Sequence, residues 1–389
     1  MTPEPRHPPI VPSYGAAALA DLSSSMLASL DPDAPESQNV LGLPSTRRAC
    51  LLIVDGLGWE LLRDHPAVAP FLSELARNSR PITAGFPSTT VTSLGSICTG
   101  QPPGQHGILG YQVMIPGENR LLNGLRWDSR IDPRQWQPLP TVYERAAAAG
   151  IAAVHVTQGA FRGTGLTVAT MRGADFRPAD SMGALAAQAA TALRENDRAF
   201  VTVYHGDLDG TGHAFGVGSD AWYNQLAHVD KLAEQLAGAL PSGTCMCVTA
   251  DHGMVDIGAE DKLDVDEHPA LRSGLALLGG EPRARHLYAR RGAAADLLAA
   301  WRETFGDRAW VLSRDEAIKE GWFGPVDAAM TSRIGDVVAA PAGSLAIVAT
   351  KAEPRESALT GMHGSLTTTD QLVPHLMLAS DEPVQGPRR

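Results

Sequence analysis

The 389-residue sequence predicts an α/β fold, a mainly parallel sheet sandwiched by helices with a small inserted α+β lobe. Three observations carry the prediction. Apolar strand-like runs alternate with Ala/Leu-rich runs of helical spacing, as they do in chains of βαβ units. The first strand-like run, RACLLIV, is apolar almost throughout, which suits a strand covered on both faces. After Gly258 the rhythm changes to shorter segments, which suggests a second, smaller lobe.

The elements follow in order. The Pro-rich opening MTPEPRHPPIVPSYG and the segment LDPDAPESQNVLGLPS flank one helix near Ala16 to Leu30. The main domain starts near Leu41, and RACLLIVDGLG reads as a buried strand ending at an acidic turn. WELLRDHPAVAPFLSELARN is a helix broken near Pro66, followed by the strand-like PITAGF and the helix TVYERAAAAG. IAAVHVT, AFVTVYH and TCMCVTADHG read as strands, separated by the helices MGALAAQAATALREN and AWYNQLAHVDKLAEQLAGAL. The acidic loop DKLDVDEHP leads into RARHLYARR, DLLAAWRETFG, AWVLSRDEAIKEGWFG and IGDVVAAP, with SLAIVAT returning to the core sheet. The expected division is a core of 41–279 and 336–389, an insertion of 280–335 that caps the core, and an N-terminal extension of 1–40.

A formal charge of -11 works against binding nucleic-acid backbones or anionic lipid, so the expected partner is a small molecule, with no nucleic acid polymer and no membrane. The opening residues lack a secretion signal and no window reaches membrane-spanning length, from which a cytoplasmic address is expected. Four cysteines are too few for a disulfide scaffold, and Cys245 and Cys247 in an apolar strand read as packing.

Strand ends carry the chemistry. Asp55 in IVDGLG, Thr90 in GFPSTTVTSLGSICTG, Asp207, Asp209 and His213 in YHGDLDGTGHAFG, and Asp251 with His252 in VTADHGM all follow predicted strands, and His363 in GMHGSLT follows the last one. In an open parallel sheet these ends share one edge, so Asp55, Asp209 and Asp251 are expected to converge. Carboxylates gathered without nearby Lys or Arg call for divalent cations, and mixed Asp/His ligation suits zinc, with manganese as the harder alternative. The four-residue step from Asp209 to His213 fits a loop or first helical turn wrapped around one ion. Taken singly, Asp55 also reads as a turn residue, and Ser88, Thr89 or Thr90 as a helix cap. His106 is expected to order the loop after that helix, and Trp127, Trp136 and Trp222 to pack.

IVDGLG, FPSTT, CTGQPPGQHGILGY, DGTGH, ADHGM and MHG, in that order over about residues 48 to 370, resemble the nucleotide pyrophosphatase/phosphodiesterase branch of the alkaline phosphatase superfamily. The resemblance implies a two-metal site. Asp55, Thr90, Asp251 and His252 would hold one ion, and Asp209, His213 and His363 the other, with Thr90 as the nucleophile that passes through a phosphorylated intermediate. Thr90 is selected over Thr89 because the family's run from FP to TG has the length of Phe86 to Gly100. The implied activity is hydrolysis of a phosphodiester or phosphoanhydride in a small nucleotide-like substrate. The alternatives are phosphomonoesters, phosphonates or sulfate esters, or a non-catalytic metal-binding relative. Two positions depart from the family pattern. Ser93 stands where an asparagine binds a phosphoryl oxygen, so phosphate binding falls to Ser93 or to backbone N–H groups at the helix start. Leu208 replaces a proline before Asp209, which leaves Asp207 as an alternative ligand.

Overall fold

The computed structural model describes residues 8–31 and 38–379; the parts of the expected N-terminal and C-terminal segments that fall on 1–7, 32–37 and 380–389 lie outside the described residues. In chain order, the strands that build the two main sheets are β1 (Arg48–Val54), β2 (Ala152–Thr157), β3 (Asp175–Pro178), β4 (Ala199–His205), β5 (Thr244–Thr249), β6 (Leu275–Glu281), β7 (Ala284–Ala289), β8 (Ala309–Ser313), β9 (Val337–Pro341) and β10 (Leu376–Ala379). The helices needed below are α1 (Leu19–Ser29), α2 (Thr90–Thr99), α3 (Val142–Ala148), α4 (Met182–Arg194), α5 (Asp207–Phe215), α6 (Asp220–Ala239) and α7 (Ala294–Phe305).

β1 is buried at every position after Arg48, so it belongs in the middle of a sheet with helices on both faces. The order β10-β5-β1-β4-β2-β3 puts it there, with every pairing parallel except that of β10. Because Val54 lies beside His205 and Ile53 beside Thr249, the residues that follow β1, β4 and β5 emerge together at one edge. The helices between strands start on side-chain caps: Thr141 and Glu144 form a reciprocal box on α3, Ser181 accepts from the Ala184 N–H, and Ser219 accepts from that of Trp222. Each such cap is worth about 1 kcal/mol.

Three elements differ from expectation. SLAIVAT does not return to the core sheet: Ala346–Val348 pairs with Lys262–Asp264 in a separate two-stranded ribbon, and β10 takes the edge position instead. Both runs are short and apolar, so composition does not separate them. The inserted lobe is a four-stranded antiparallel sheet, β6-β7-β9-β8, that starts at Leu275 and ends at Pro341, wider than 280–335 at both ends. It has its own apolar cluster, in which Leu297, Trp301 and Phe305 of α7 pack against Leu287, Val311 and Val337. The described part of residues 1–40 is built into the core rather than appended to it, because α1 buries Leu19, Leu22 and Met26 in the main cluster. At about 1.5–3 kcal/mol per buried side chain, its loss would be costly. All four cysteines are free and buried, as packing requires, and no helix among the described residues is long and apolar enough to cross a membrane.

Candidate active site

Close backbone approach brings the strand ends together. Gly56 has φ +75°, and a Cβ there would stand 3.1 Å from the Cα of Asp209. At Gly253 a Cβ would lie 1.8 Å from the Thr369 carbonyl oxygen. The glycines of DGLG and DHG are therefore packing requirements. The N–H of Gly56 donates to Asp251 Oδ1, joining the ends of β1 and β5 directly.

Two groups of ligand atoms result, each with its members within 4.8 Å of one another: Asp55, Asp251 and His252, and Asp209, His213 and His363. The groups adjoin, since the rings of His252 and His363 stack with centroids 3.6 Å apart. Asp209 and His213 lie one turn apart in α5, 3.3 Å from carboxylate to imidazole, whereas Asp207 is largely exposed and accepts from Gln158. Between the two aspartates, the geometry favours Asp209.

The donor atoms are arranged for cations. A carbonyl can only accept, so each Nδ1 that meets one carries a proton: His213 on Gly361, His252 on Gly253 and His363 on Ser88, at 2.7, 2.8 and 3.0 Å. Every Nε2 then faces the carboxylates. His252 Nε2 lies 3.2 Å from Asp55 Oδ1 and 3.7 Å from Asp251 Oδ2, and His363 Nε2 lies 3.8 Å from Asp209 Oδ1. Those three carboxylate oxygens are buried without a hydrogen-bond partner. Unpaired buried carboxylates cost several kcal/mol each, so two divalent cations fit this donor set.

Without cations, protons fill the same need. Burial, then the charge of Asp55, pushes Asp251 up to about 8. Burial would lower His213, but Asp209 outweighs it and raises the imidazole to about 9; His252 is likewise carried well above its usual value by Asp251 and Asp55. His363 falls well below it, through burial and then its two imidazole neighbours.

Thr90 is the first residue of α2, with its hydroxyl oxygen 3.2 Å from His252 Nε2. Thr89 occupies the N-cap position in extended conformation, yet its side chain makes no cap bond. Thr89 is thus a cap by position and not by its side chain, and Thr90 lies inside the helix. Ser93 departs from its expected phosphate-binding role: it is fully buried, donates to the Asp251 carbonyl at 2.6 Å, and lines neither cavity at Thr90. The shorter serine reaches a backbone acceptor and stops there. His106 orders its loop as expected, accepting from the Ile108 N–H with its other nitrogen beside Ser96, and burial pushes it down to about 3. Trp136 and Trp222 are buried in the core, with Trp127 packed against it.

Sequence reasoning missed two residues. The Tyr204 hydroxyl donates to Asp55 Oδ2, at the end of β4. Glu281, at the end of β6, comes from the lobe: burial pushes its carboxyl up to about 8, Oε1 has no partner, and its other oxygen lies 3.7 Å from His363 Nδ1. A Tyr in AFVTVYH and a Glu in GGEPR carry no signal of either role.

The open, mainly parallel sheet and the family that the sequence matches place the molecule in the alkaline phosphatase superfamily. More narrowly, the Type I phosphodiesterase / nucleotide pyrophosphatase family model matches residues 49–366, and the chain belongs to that family. It is a family of phosphoric ester hydrolases that use divalent metal ions and act on small phosphate esters. Among solved structures, the chain is similar to murine ectonucleotide pyrophosphatase/phosphodiesterase 5, an inactive threonine-to-alanine variant in complex with AMP, with a TM-score of 0.68 at 17% identity over 86% of this chain and 88% of that one. The human counterpart gives 0.67 at 18%, over 86% and 88%. Phosphonoacetate hydrolase from Sinorhizobium meliloti 1021, in complex with phosphonoformate, gives 0.65 at 20%, over 89% and 92%. No curated protein matches the chain by sequence.

Proposed function

We propose that the protein hydrolyses small phosphodiesters or phosphoanhydrides bearing a nucleotide-like substituent, with Thr90 as nucleophile. Asp55, Asp251 and His252 with Thr90 would hold one dication, and Asp209, His213 and His363 a second. Carboxylate and imidazole donors suit zinc, with manganese as the alternative. Dications there supply positive charge that lowers the pKa of the threonine hydroxyl and offsets charge gathering in the transition state.

The observation that carries this reading is the position of Thr90. It borders two cavities of about 190 Å³ each. One contains Asp209, His213 and His363; the other is mainly apolar, with Leu94, Phe161, Leu166 and Met171 around His155. A diester has two substituents to place, one per cavity, whereas a monoester would leave one empty. The murine relative made inactive by a threonine-to-alanine change supports a threonine in this role.

The chain's own residues then divide the work. Thr90 Oγ1, its proton released to water, forms a bond to phosphorus as the bond to the leaving oxygen breaks, and the electron pair departs with that oxygen, which takes up a proton from water. His252 Nε2 fixes the position of the hydroxyl. First-turn N–H groups of α2, left without a side-chain cap, receive the phosphoryl oxygens in place of Ser93. Water then cleaves the phosphothreonine and restores the hydroxyl. The likeness to phosphonoacetate hydrolase makes phosphonate cleavage a second reading. A carboxylate-bearing phosphonate calls for a cationic side chain, and no Lys or Arg among the described residues lines either cavity.

Thr90→Ala is expected to lower turnover of bis-p-nitrophenyl phosphate by about 10³-fold or more, with metal content by elemental analysis unchanged. Full activity in that variant would remove Thr90 from the chemistry. Faster turnover of p-nitrophenyl phosphate than of the diester would overturn the diesterase assignment.

A further inference from the structure

We infer that Glu281 recognises the diester substituent seated in the first cavity, and that this substituent carries a hydrogen-bond donor, a hydroxyl or an ammonium. The inference rests on the hydrolase reading above. Beyond the proposed metal ligands and the two threonines, the polar side chains of the first cavity are Tyr111, Glu281 and Glu356. The Tyr111 hydroxyl already donates to Glu356 Oε1 at 3.1 Å. Glu281 is 8% exposed and its Oε1 has no partner, so it is the unsatisfied group on that side of Thr90. It is not the clamp of its neighbour His363, whose Nδ1 proton goes to the Ser88 carbonyl at 3.0 Å, nearer than the 3.7 Å to Glu281.

The Thr89 hydroxyl hydrogen-bonds to this carboxyl, which leaves Oε1 as the oxygen without a partner, and a buried oxygen kept so lowers stability unless a ligand completes it. A substrate hydroxyl or ammonium does so. An anionic substituent such as pyrophosphate would instead face two carboxyls with no cationic side chain to receive it, since Arg126, close enough to act on Tyr111, is exposed and outside the cavity. The small volume, about 190 Å³, favours a compact alcohol. Glu281 thus makes the lobe a determinant of specificity: it stands at the tip of a lobe hairpin, while every proposed metal ligand comes from the core.

The test reads binding rather than turnover. Zinc-loaded Thr90→Ala protein is titrated calorimetrically with aminoethyl, hydroxyethyl and ethyl phenyl phosphate. At least one of the first two is expected to bind about tenfold tighter than the ethyl ester, the value of one buried hydrogen bond, and the tighter of them identifies the donor. In Thr90→Ala/Glu281→Gln the preference should vanish. Glu281→Met, similar in volume, should lose it too, because it removes the acceptor oxygen. No preference in the parent, or one that survives both substitutions, overturns the inference. Hydrolysis by Thr90→Ala would instead overturn the mechanism, so the two failures are distinguishable.

Discussion

At Ser93 a single hydroxyl separates two roles. Its donation to the Asp251 carbonyl ties the start of α2 to the end of β5. Ser93→Ala should therefore lower stability by about 1–3 kcal/mol in a urea melt, the cost of a buried acceptor left unpaired, with KM for the diester unchanged. A tenfold rise in KM at unchanged stability would return Ser93 to the phosphate. Residues of this kind mark the limit of what sequence shows. Asp209 and His213 were legible because their spacing fits one face of a helix, and Asp251 with His252 because they follow a strand. Glu281 was not, since its side chain reaches the site only through the fold of the lobe. Tyr204 reads in sequence as one more aromatic strand residue.

Among the elements, the β6–β7 hairpin has the widest reach. Arg283 in its turn is fully buried and grips Asp370 with Nε and a terminal nitrogen at 3.0 and 2.6 Å, while its other terminal nitrogen donates to the Leu345 carbonyl. Asp370 also accepts from the Ser365 N–H, so the segment that follows His363 is anchored to the lobe. Arg283→Ala strands a buried carboxylate and should cost about 3–5 kcal/mol in chemical denaturation. Metal content should fall with it as the segment loosens. An apolar pair, Arg283→Met with Asp370→Leu, should recover most of the stability, and failure to do so would show that the hydrogen bonds to Leu345 and Ser365 matter more than the pair itself. The strand–helix alternation of the core was legible because it is periodic. The bounds of the lobe and the identity of the last core strand were not, because β10 and Ala346–Val348 are both short and apolar and are told apart by their pairing partners.

For the molecule as a whole, the clusters link ion binding to pH. Asp251 rises from 3.8 to about 8, and His213 from 6.5 to about 9. Both folded values are raised, so in that interval the folded protein holds more protons than the unfolded chain. The stability these groups contribute is full below the unfolded values and is lost as pH climbs through the folded ones. Chelated protein should therefore melt at progressively lower temperature from about pH 5 to about pH 9, while zinc-loaded protein changes far less. Equal slopes with and without zinc, in a thermal melt series, would show that neither cluster takes an ion.

The three carbonyl clamps on the imidazoles reach further than the site. Because Gly361, Gly253 and Ser88 orient the rings from the backbone, the receptacle is finished when folding ends and does not wait for its cargo. Ions would then meet a mould set in advance, and rival metals would be sorted by how well they accept its geometry and ligand types and by their supply. The same polypeptide would carry different metals in hosts that differ in their stocks, with its scaffold unchanged.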